Sequence, residues 1–248
     1  MHLRLGRTMD EATATFRPAG DTGLVVEFGD HVDRAVSRRV VALHTRIRTA
    51  HMRGVIETVP TFRSLLIHLD PDATSVEKVQ DAVIPLLEGL EAEDLAARQW
   101  SIPVCYEAEF APDLVGVAER CGLTPSRVVQ MHSANAYHVY MIGFLPGLPY
   151  MGDLAQELVL PRLVEPRLRV PPGSVAIATT LTTIYPVESP GGWHLIGRTP
   201  VNLFDIERPA PALLNPGDKV AFTPISSKKF AELEKLVECG QYELCPIQ

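Results

Sequence analysis

The sequence predicts an α+β protein: a small ferredoxin-like layer followed by a β-rich barrel or sandwich. Between Asp21 and Leu90, strand-like runs alternate with two amphipathic helix patterns. After Gln99 the apolar runs become short, turn sequences recur, and most of the 21 prolines occur. We therefore expect a loose extension at residues 1–15, an α+β domain at 16–98 and a β-rich domain at 99–248.

The first domain starts with a strand and an amphipathic helix. Residues 24–28 form a short β-rich run. The next segment has Asp33 as a helix N-cap and Gly54 as a stop, with apolar residues between them at alternating spacings of four and three. This spacing predicts a helix with one buried face.

Two paired strands and a second helix follow. Residues 55–59 and 64–69 are β-rich and separated by a short loop, so they are expected to pair. The second helix starts at a capping box beginning with Thr74, and a kink is expected at Pro85. A further strand around 102–106 would complete the split βαβ pattern of a ferredoxin-like layer.

The second domain is expected to follow the acidic, weakly apolar segment 88–99. Turn sequences recur at 171–174, 189–193 and 215–218. Two helices interrupt the β pattern. One has Thr124 as its cap, and the other has Ser226 or Ser227 as its cap and Gly240 as its stop.

The composition limits the classes of partner. The formal charge is −7, from 30 acidic and 23 basic side chains, and an acidic surface repels nucleic acid. No apolar run approaches the ~20 residues of a membrane helix, and the N-terminus lacks a signal-peptide core, with either Met1 or Met9 as a possible native start. The cysteines lack zinc-site spacing; they are Cys105, Cys121, Cys239 and Cys245. We expect a cytoplasmic protein with reduced thiols, no metal site, and no nucleic-acid or membrane partner.

An apolar loop with three glycines and two prolines, residues 141–152, is the first candidate site segment. Glycine permits close backbone approach, and proline stiffens an extended loop without offering an amide donor. The segment is interpreted as the wall of a pocket or partner interface, through Phe144, Pro146, Gly147 and Tyr150. A tight corner that closes the barrel is an equally good interpretation.

Three further candidates are an arginine-rich loop, a segment with several hydroxyl groups, and a histidine. Arg162 and Arg167 lie in an arginine-rich loop that suits a carboxylate or phosphate, although a solvated loop with salt bridges is also typical. The segment 182–200 gathers side chains that can orient a small polar substrate or simply form turn hydrogen bonds; they include Thr183, Tyr185, Trp193 and Arg198. His132, near a helix end, is either an acid/base group or a structural histidine.

Several common catalytic motifs are missing from the sequence. It has no G-x-x-x-x-G-K-[ST], which argues against nucleotide binding by a P-loop. It has no G-x-S-x-G elbow and no H-E-x-x-H, which argues against an α/β-hydrolase or a zincin. No Met-Lys pair occurs, so the chain is not a biotin carrier of the usual type.

The motifs, in order, resemble a known family. They are IPVCYEAEFAPDL, VYMIGFLPGLPYMGDL, PRLVEPRLRVPPGSVAIA, TIYPVESPGGWHLIGRTPVNLFD and LLNPGDKVAF. The chain is similar to the KipI family, also called the B subunit of 5-oxoprolinase or allophanate hydrolase subunit 1, from about residue 16 to about residue 226. The resemblance implies a small N-terminal α+β domain and a C-terminal β-barrel of cyclophilin-like fold.

The same resemblance implies a function. The chain would be one component of an ATP-dependent 5-oxoprolinase, inactive alone, that opens 5-oxoproline to L-glutamate. Its partners would be a homologue of the C subunit, which is of the allophanate hydrolase subunit 2 type, and a LamB/YcsF-type protein as the A subunit. ATP with Mg would act in the assembled complex, and no biotin would be attached to this chain.

Two alternatives remain open within the resemblance: a regulatory module that inhibits a sensor histidine kinase, and a carboxyltransferase-type component of a urea carboxylase or allophanate system. Positions in the matched motifs provide the candidate site. His132 and Arg198 are the catalytic candidates. The substrate-binding candidates are Arg162, Arg167, Thr183, Tyr185 and Trp193.

Overall fold

The computed structural model describes residues 14–90 and 97–247. The chain divides into two compact units, Met1–Leu95 and Ala96–Gln248, and this division falls within the segment 88–99. Most of the proposed extension 1–15 lies outside the described residues, but Thr15 already belongs to a strand. No helix in the described ranges is long and apolar enough to cross a membrane.

The first unit is a four-stranded antiparallel sheet with two helices. Its elements are β1 (Thr15–Pro18), β2 (Gly23–Glu27), α1 (Arg34–Ala50), β3 (Val55–Pro60), β4 (Ser64–Leu69) and α2 (Val76–Val83). The strand order is β1-β2-β4-β3. The apolar faces of both helices and the sheet enclose one core that includes Val40, Leu43 and Ile67.

The helix ends in this unit differ from the sequence prediction by a few residues. The Asp33 carboxylate accepts a hydrogen bond from Val36 N at 2.8 Å, as expected of an N-cap. However, α1 ends at Ala50, and His51 takes the left-handed conformation (φ 45°). The predicted stop at Gly54 is therefore wrong, because Gly54 instead makes the turn into β3 with φ 79°.

The second helix is shorter than predicted. Ser75, not Thr74, caps it, since the Ser75 hydroxyl accepts from Lys78 N. The helix stops at Val83 and continues as a 3₁₀ turn, Ile84–Leu87, that contains Pro85. Proline removes an amide donor and crowds the preceding turn, so it ends α2 instead of kinking a longer helix.

The fourth strand of the sheet is not the one predicted. Residues 102–106 were expected there, but β5 (Gln99–Cys105) belongs to the second unit and pairs in parallel with β13 (Lys219–Ile225). β1 fills the position, with Thr15 opposite Glu27 in a hairpin with β2. A neighbouring strand joined by a short turn costs little loop-closure entropy, so it can take this edge.

The second unit is a closed seven-stranded barrel, in the order β10-β7-β6-β13-β5-β12-β9. Its remaining strands are β6 (Ala136–Ile142), β7 (Pro149–Gly152), β8 (Arg167–Val170), β9 (Ser174–Ala178), β10 (Leu181–Ile184), β11 (Ser189–Gly191) and β12 (His194–Arg198). β8 and β11 form a separate two-stranded sheet. The predicted α+β class with a barrel as its second part is therefore confirmed.

Three helices accompany the barrel: α3 (Leu114–Cys121), α4 (Pro125–Ser133) and α5 (Ser227–Glu238). The predicted caps of α4 and α5 are confirmed, because Thr124 accepts from Arg127 N and Ser226 accepts from Lys229 N. No helix was predicted at the position of α3. Only eight residues long and without a side-chain cap bond, it depends on burying Leu114 and Val117 in the barrel core.

Candidate functional site

A cleft of about 140 Å³ opens on the second unit beside the barrel. It is bounded by the loop between β6 and β7, the chain that leads into β8, and strands β10 and β11. Its lining consists of Phe144, Leu148, Tyr150, Arg162, Leu163, Pro166, Thr183, Tyr185, Gly191, Gly192 and Trp193. The structure thus brings together six residues predicted separately from three segments: Phe144, Tyr150, Arg162, Thr183, Tyr185 and Trp193.

The β6–β7 loop presents an aromatic ring at the cleft in a strained conformation. Phe144 has φ 69°, although a bulky residue rarely adopts the left-handed region, and it is 68% exposed. The loop is closed by its own hydrogen bonds, such as Gly143 N to Leu148 O at 3.1 Å. Strain kept at an exposed aromatic side chain is typical of a binding site.

The predicted pocket wall divides into two parts. Phe144 and Tyr150 line the cleft, whereas Pro146 and Gly147 do not. Gly147 has φ 75°, and a Cβ there would lie 2.9 Å from Cβ of Phe204. It therefore forms the tight corner that the sequence analysis gave as the alternative.

Tyr185 is a buried residue that offers its hydroxyl to the cleft. The residue is 3% exposed, and its hydroxyl has no hydrogen-bond partner among residues 14–90 and 97–247. It lies against Gly191, which also lines the cleft. Burial, followed by the nearby Tyr150, raises the pKa of Tyr185 to about 12. The hydroxyl is therefore protonated and able to donate at neutral pH.

Arg162 brings a positive charge to the same cleft. Its guanidinium lies 5.7 Å from the centroid of the Trp193 ring, within cation–π range. The Trp193 ring also makes an edge contact with Tyr150 at 6.0 Å. No acidic side chain lines the cleft, and Arg162 has no ion pair within the described parts of the chain. The lining thus carries one positive charge with no acid to offset it.

Thr183 lines the cleft and also joins two strands of the barrel. Its hydroxyl donates to the Pro149 carbonyl at 2.7 Å, which ties β10 to β7. The residue is 1% exposed. Because the proton is already used, Thr183 can serve a ligand as an acceptor only.

Arg167 lies behind the cleft and holds its wall. It forms a hydrogen-bonded ion pair with Asp113 and donates to the Trp193 carbonyl at 3.4 Å. The other Asp113 oxygen accepts from Leu195 N at 2.6 Å. Arg167, predicted to bind substrate, therefore positions the backbone at Trp193, between β11 and β12.

Asp113 is the residue of this group that the sequence analysis missed. It occupies the N-cap position of α3, but its carboxylate makes no cap bond and binds residues 54 and 82 positions away along the chain. An acid just before a helix normally indicates a cap. A single sequence contains no local signal that could have revealed these distant partners.

We expect Asp113→Asn to weaken the cleft while leaving the barrel folded. The substitution keeps an acceptor for Leu195 N but removes the charge paired with Arg167, so the Trp193 backbone loses its fixed position. The expected cost is about 1–2 kcal/mol in unfolding free energy, the range of a partly buried charged hydrogen bond, together with a several-fold loss in ligand affinity. Denaturant unfolding and ligand titration measure the two quantities.

The matched control for Asp113→Asn is Glu188→Gln. It breaks the exposed Arg169–Glu188 pair, whose N–O distance is 3.8 Å, in the neighbouring two-stranded sheet. Exposed pairs contribute little, so its effect should stay below about 0.5 kcal/mol. Equal effects of the two substitutions would contradict a positioning role for Asp113.

His132 lies in the barrel core and not in the cleft. It is 0% exposed and stacks on Phe222 with ring centroids 4.6 Å apart. Its Nε2 lies 2.9 Å from the Thr182 hydroxyl, which itself donates to the Ala176 carbonyl. Thr182 must therefore accept the His132 proton, and Nδ1 accepts from the Tyr106 hydroxyl at 2.8 Å.

This environment gives His132 a structural role instead of the predicted catalytic one. A neutral ring with both nitrogens bonded inside the barrel cannot contact a ligand in the cleft. Burial lowers the pKa of His132 to about 3. The sequence around His132 in α4 does not show that the ring is buried, because the residues that cover it come from strands β10 and β13.

We expect His132 to remain neutral wherever the protein is folded. Its pKa is lower in the folded state than in the unfolded chain, so unfolding takes up a proton. Its contribution to stability is therefore full above about pH 6.5 and falls as the pH decreases from 6.5 toward 3. Burial also lowers the pKa of His44, to about 4, which adds a loss in the same direction.

Histidine NMR measures this expectation. Between pH 5 and 8 the His132 ring signals should not shift, whereas exposed His31, whose pKa is raised by its hydrogen bond to Asp30, should titrate. A His132 midpoint near pH 6.5 would contradict the buried, neutral assignment.

Arg198, the other predicted catalytic residue, is also absent from the cleft lining. Its Nε donates to the Pro172 carbonyl at 2.9 Å, and its guanidinium lies 5.9 Å from the Phe230 ring of α5. Both contacts are with residues outside the cleft lining. The catalytic role of Arg198 stays a prediction.

Other features give no stronger site. A wider groove of about 670 Å³ lies on the first unit between α1 and β3, but it carries both Arg48 and Glu57 and none of the predicted residues. Within the described ranges, no group of three or more His, Cys, Asp or Glu side chains could hold a metal ion. All four cysteines are free thiols.

The chain is similar in sequence to characterised proteins. Residues 14–214 match the family described as carboxyltransferase domain, subdomain C and D. The chain is 38% identical to the B subunit of 5-oxoprolinase from Bacillus subtilis, over 85% of this chain and 92% of that protein. It is 40% identical to the corresponding B subunit from Escherichia coli O157:H7, over 83% and 93%. Urea amidolyase of Saccharomyces cerevisiae is 26% identical, and the match covers 14% of that protein.

Solved structures share the fold. TTHA0988 superposes with a TM-score of 0.76 at 36% identity, over 84% of this chain, so the chain spans about two fifths (40%) of that protein. The uncharacterized protein PH0987 of Pyrococcus horikoshii gives a TM-score of 0.53 at 39% identity, over 87% of this chain and 100% of that one. The Kluyveromyces lactis urea carboxylase gives 0.78 at 20% identity, over 98% and 24%, which shows the fold alone.

Proposed function

Since the chain belongs to the carboxyltransferase-domain family of subdomains C and D, and within it to the B subunits of 5-oxoprolinase, we propose that it is one component of an ATP-dependent 5-oxoprolinase. The reaction opens the lactam ring of 5-oxoproline to L-glutamate. One observation carries the assignment of the site: a small electropositive cleft in which the hydroxyl of buried Tyr185 has no partner among the described residues.

The chemistry of the lactam explains why ATP is needed. Amide resonance makes the ring carbonyl a poor electrophile. Transfer of the γ-phosphoryl group of ATP to the lactam oxygen breaks its bond to ADP, forms an O–P bond and activates the carbon. Water then adds to that carbon, and the ring C–N bond breaks with a proton passing to nitrogen, which leaves an acyl phosphate. A second water hydrolyses the acyl phosphate to the side-chain carboxylate of glutamate and free phosphate. Hydrogen-bond donors aimed at the carbonyl oxygen favour this sequence, because negative charge develops there.

The cleft fits the lactam and not the nucleotide. Pockets for drug-sized ligands are roughly 300–1,000 Å³, well above the 140 Å³ of the cleft. We therefore propose that the body of ATP, with Mg, is held by other parts of the assembled complex and that this cleft holds the lactam. The partners we propose are a homologue of the C subunit and a LamB/YcsF-type protein as the A subunit, in the cytoplasm, where ATP is available.

The carboxyltransferase-type function is the second candidate, and one observation favours it. Urea amidolyases of Lachancea kluyveri and Saccharomyces cerevisiae are 28% and 26% identical over 94% and 92% of this chain. Identity to the 5-oxoprolinase proteins is higher, at 38–49%, so we place 5-oxoprolinase first. A biotin carrier as the required partner would reverse this order.

Partner capture followed by reconstitution tests the proposal. We expect a tagged form of the chain to recover the homologue of the C subunit, and the chain combined with that homologue and the LamB/YcsF-type protein to release glutamate from 5-oxoproline with ATP and Mg. Omission of any one of the three proteins should abolish release. Recovery of a sensor histidine kinase with no turnover would overturn the proposal in favour of the regulatory alternative.

A further inference from the structure

We propose that the cleft alone binds a small carboxylate that also carries a neutral carbonyl group, with the carboxylate at Arg162 and the carbonyl at the Tyr185 hydroxyl. The identification of this ligand as 5-oxoproline rests on the proposed function. Each end of the ligand thus has its own binding group in the cleft, and binding requires neither ATP nor another protein.

Charge supports the carboxylate at Arg162. The eleven lining residues contain one cation and no acid. The Arg162 guanidinium stands over the Trp193 face and makes no hydrogen bond or ion pair with a residue in 14–90 or 97–247. Stacking occupies only the face of the guanidinium, so its N–H edge stays available. A carboxylate accepts from that edge in a bidentate, charge-assisted arrangement.

Burial supports the carbonyl at Tyr185. Tyr185 is only 3% exposed as a residue, and its hydroxyl makes no hydrogen bond with another described residue, so this donor is available to a ligand in the cleft that Tyr185 lines. A phenol is neutral and matches a neutral acceptor. The cleft therefore has two distinct positions: a charged one at Arg162 on its exposed side and a neutral one at Tyr185 on its buried side.

The rest of the lining suits a compact ring. Leu148 and Trp193 are buried at 2% and 6% exposure, and the Tyr150 ring packs edge-on against Trp193. Apolar and aromatic walls of this kind cover ring methylene groups, while the two polar positions fix the orientation. A ligand such as 5-oxoproline, which carries a carboxylate and a carbonyl on the two carbons that flank its ring nitrogen, offers one group to each position.

The first part of the test uses the full-length chain with no nucleotide and no partner. Tryptophan fluorescence and calorimetry follow titration with 5-oxoproline, 2-pyrrolidinone, which lacks the carboxylate, and cyclopentanecarboxylate, which lacks the lactam. We expect saturable binding of 5-oxoproline, at least tenfold weaker binding of 2-pyrrolidinone, and a several-fold loss for cyclopentanecarboxylate.

The second part crosses ligands with variants. Arg162→Gln should weaken 5-oxoproline at least tenfold and leave 2-pyrrolidinone unchanged. Tyr185→Phe should weaken 5-oxoproline several-fold and leave cyclopentanecarboxylate unchanged. Arg169→Gln is the matched control, since Arg169 lies in the same arginine-rich segment with its side chain 83% exposed and outside the lining. Its affinity should equal that of the wild type.

The outcomes separate this inference from the proposed function. If Arg162→Gln weakens 5-oxoproline and 2-pyrrolidinone equally, or if the isolated chain binds no 5-oxoproline, the inference is overturned, even when the assembled complex releases glutamate. If the crossed pattern appears but no assembly gives turnover, the inference stands and the proposed function fails. Circular dichroism of each variant excludes loss of folding as the cause.

Discussion

Replacing Asp218 with alanine is expected to lower the free energy of unfolding by about 3 kcal/mol, the lower end of the range for breaking a buried ion pair. Asp218 is 4% exposed. Its carboxylate accepts from Arg98 at 2.6 and 3.0 Å and from Trp100 Nε1 at 3.0 Å. It also accepts from Asn215 N at 2.8 Å. The variant leaves these donors without a partner beside the junction of β5 and β13.

The lower end of the range applies because the Arg98 side chain is 38% exposed and regains some hydration. The indole N–H of Trp100, a residue only 3% exposed, cannot do so. Urea unfolding followed by circular dichroism measures the change. Glu232→Ala is the control, because it breaks an exposed pair with Lys229 and should cost less than about 0.5 kcal/mol. A comparable loss in both variants would contradict the network.

Local signals in the sequence predicted three helix caps correctly, although the stop at Gly54 and the cap at Thr74 were wrong. The caps Asp33, Thr124 and Ser226 each satisfy amides within three residues, so a short stretch contains all the information needed. The turn at 215–218 was also visible. That its aspartate binds Arg98 and Trp100, 120 and 118 residues earlier, was not, because the barrel alone brings them together.

The elements that were misplaced depend on the same long-range contacts. By pattern the 102–106 strand was the expected edge of the first sheet, and no strand was predicted at residues 15–18, where β1 lies. The parallel partner β13 decides the matter, and it lies more than 100 residues further along the chain. Likewise α3 is stable because the barrel covers Leu114 and Val117.

The sequence predicted which types of residue line the cleft better than it predicted the role of each residue. Tyr185 and Trp193 were predicted as site residues because they are aromatic side chains near turns, and both line the cleft. Residue type alone did not show which charged candidates are already paired in the fold. His132 and Arg198 each have partners in the barrel that satisfy them, while Arg162 has none among the described residues. Whether a charge is already paired is a property of the folded chain and not of its sequence.

Replacing Gly191 with alanine is expected to reduce ligand binding and turnover at least tenfold, with a smaller effect on stability. A Cβ at this position would lie 2.8 Å from Cζ of Tyr185 and closer still to its hydroxyl oxygen. Such separations are not tolerated, so the phenol must move. Tyr185 is stiff and buried in a cluster that includes Trp193 and Leu195. The new methyl group therefore displaces the one donor on which the carbonyl position depends.

The neighbouring glycine provides the matched control for this displacement. A Cβ at Gly192 would meet its nearest heavy atoms, in Pro166, at 3.7 Å, which is ordinary van der Waals contact. Neither glycine has a positive φ, so alanine introduces no backbone strain at either position. Gly192→Ala should consequently change ligand affinity by at most a few-fold. If both variants lost affinity equally, general disturbance of the strand would explain the loss, and the Tyr185 hydroxyl would not. If Gly191→Ala bound 5-oxoproline normally, the phenol would have no part in the site.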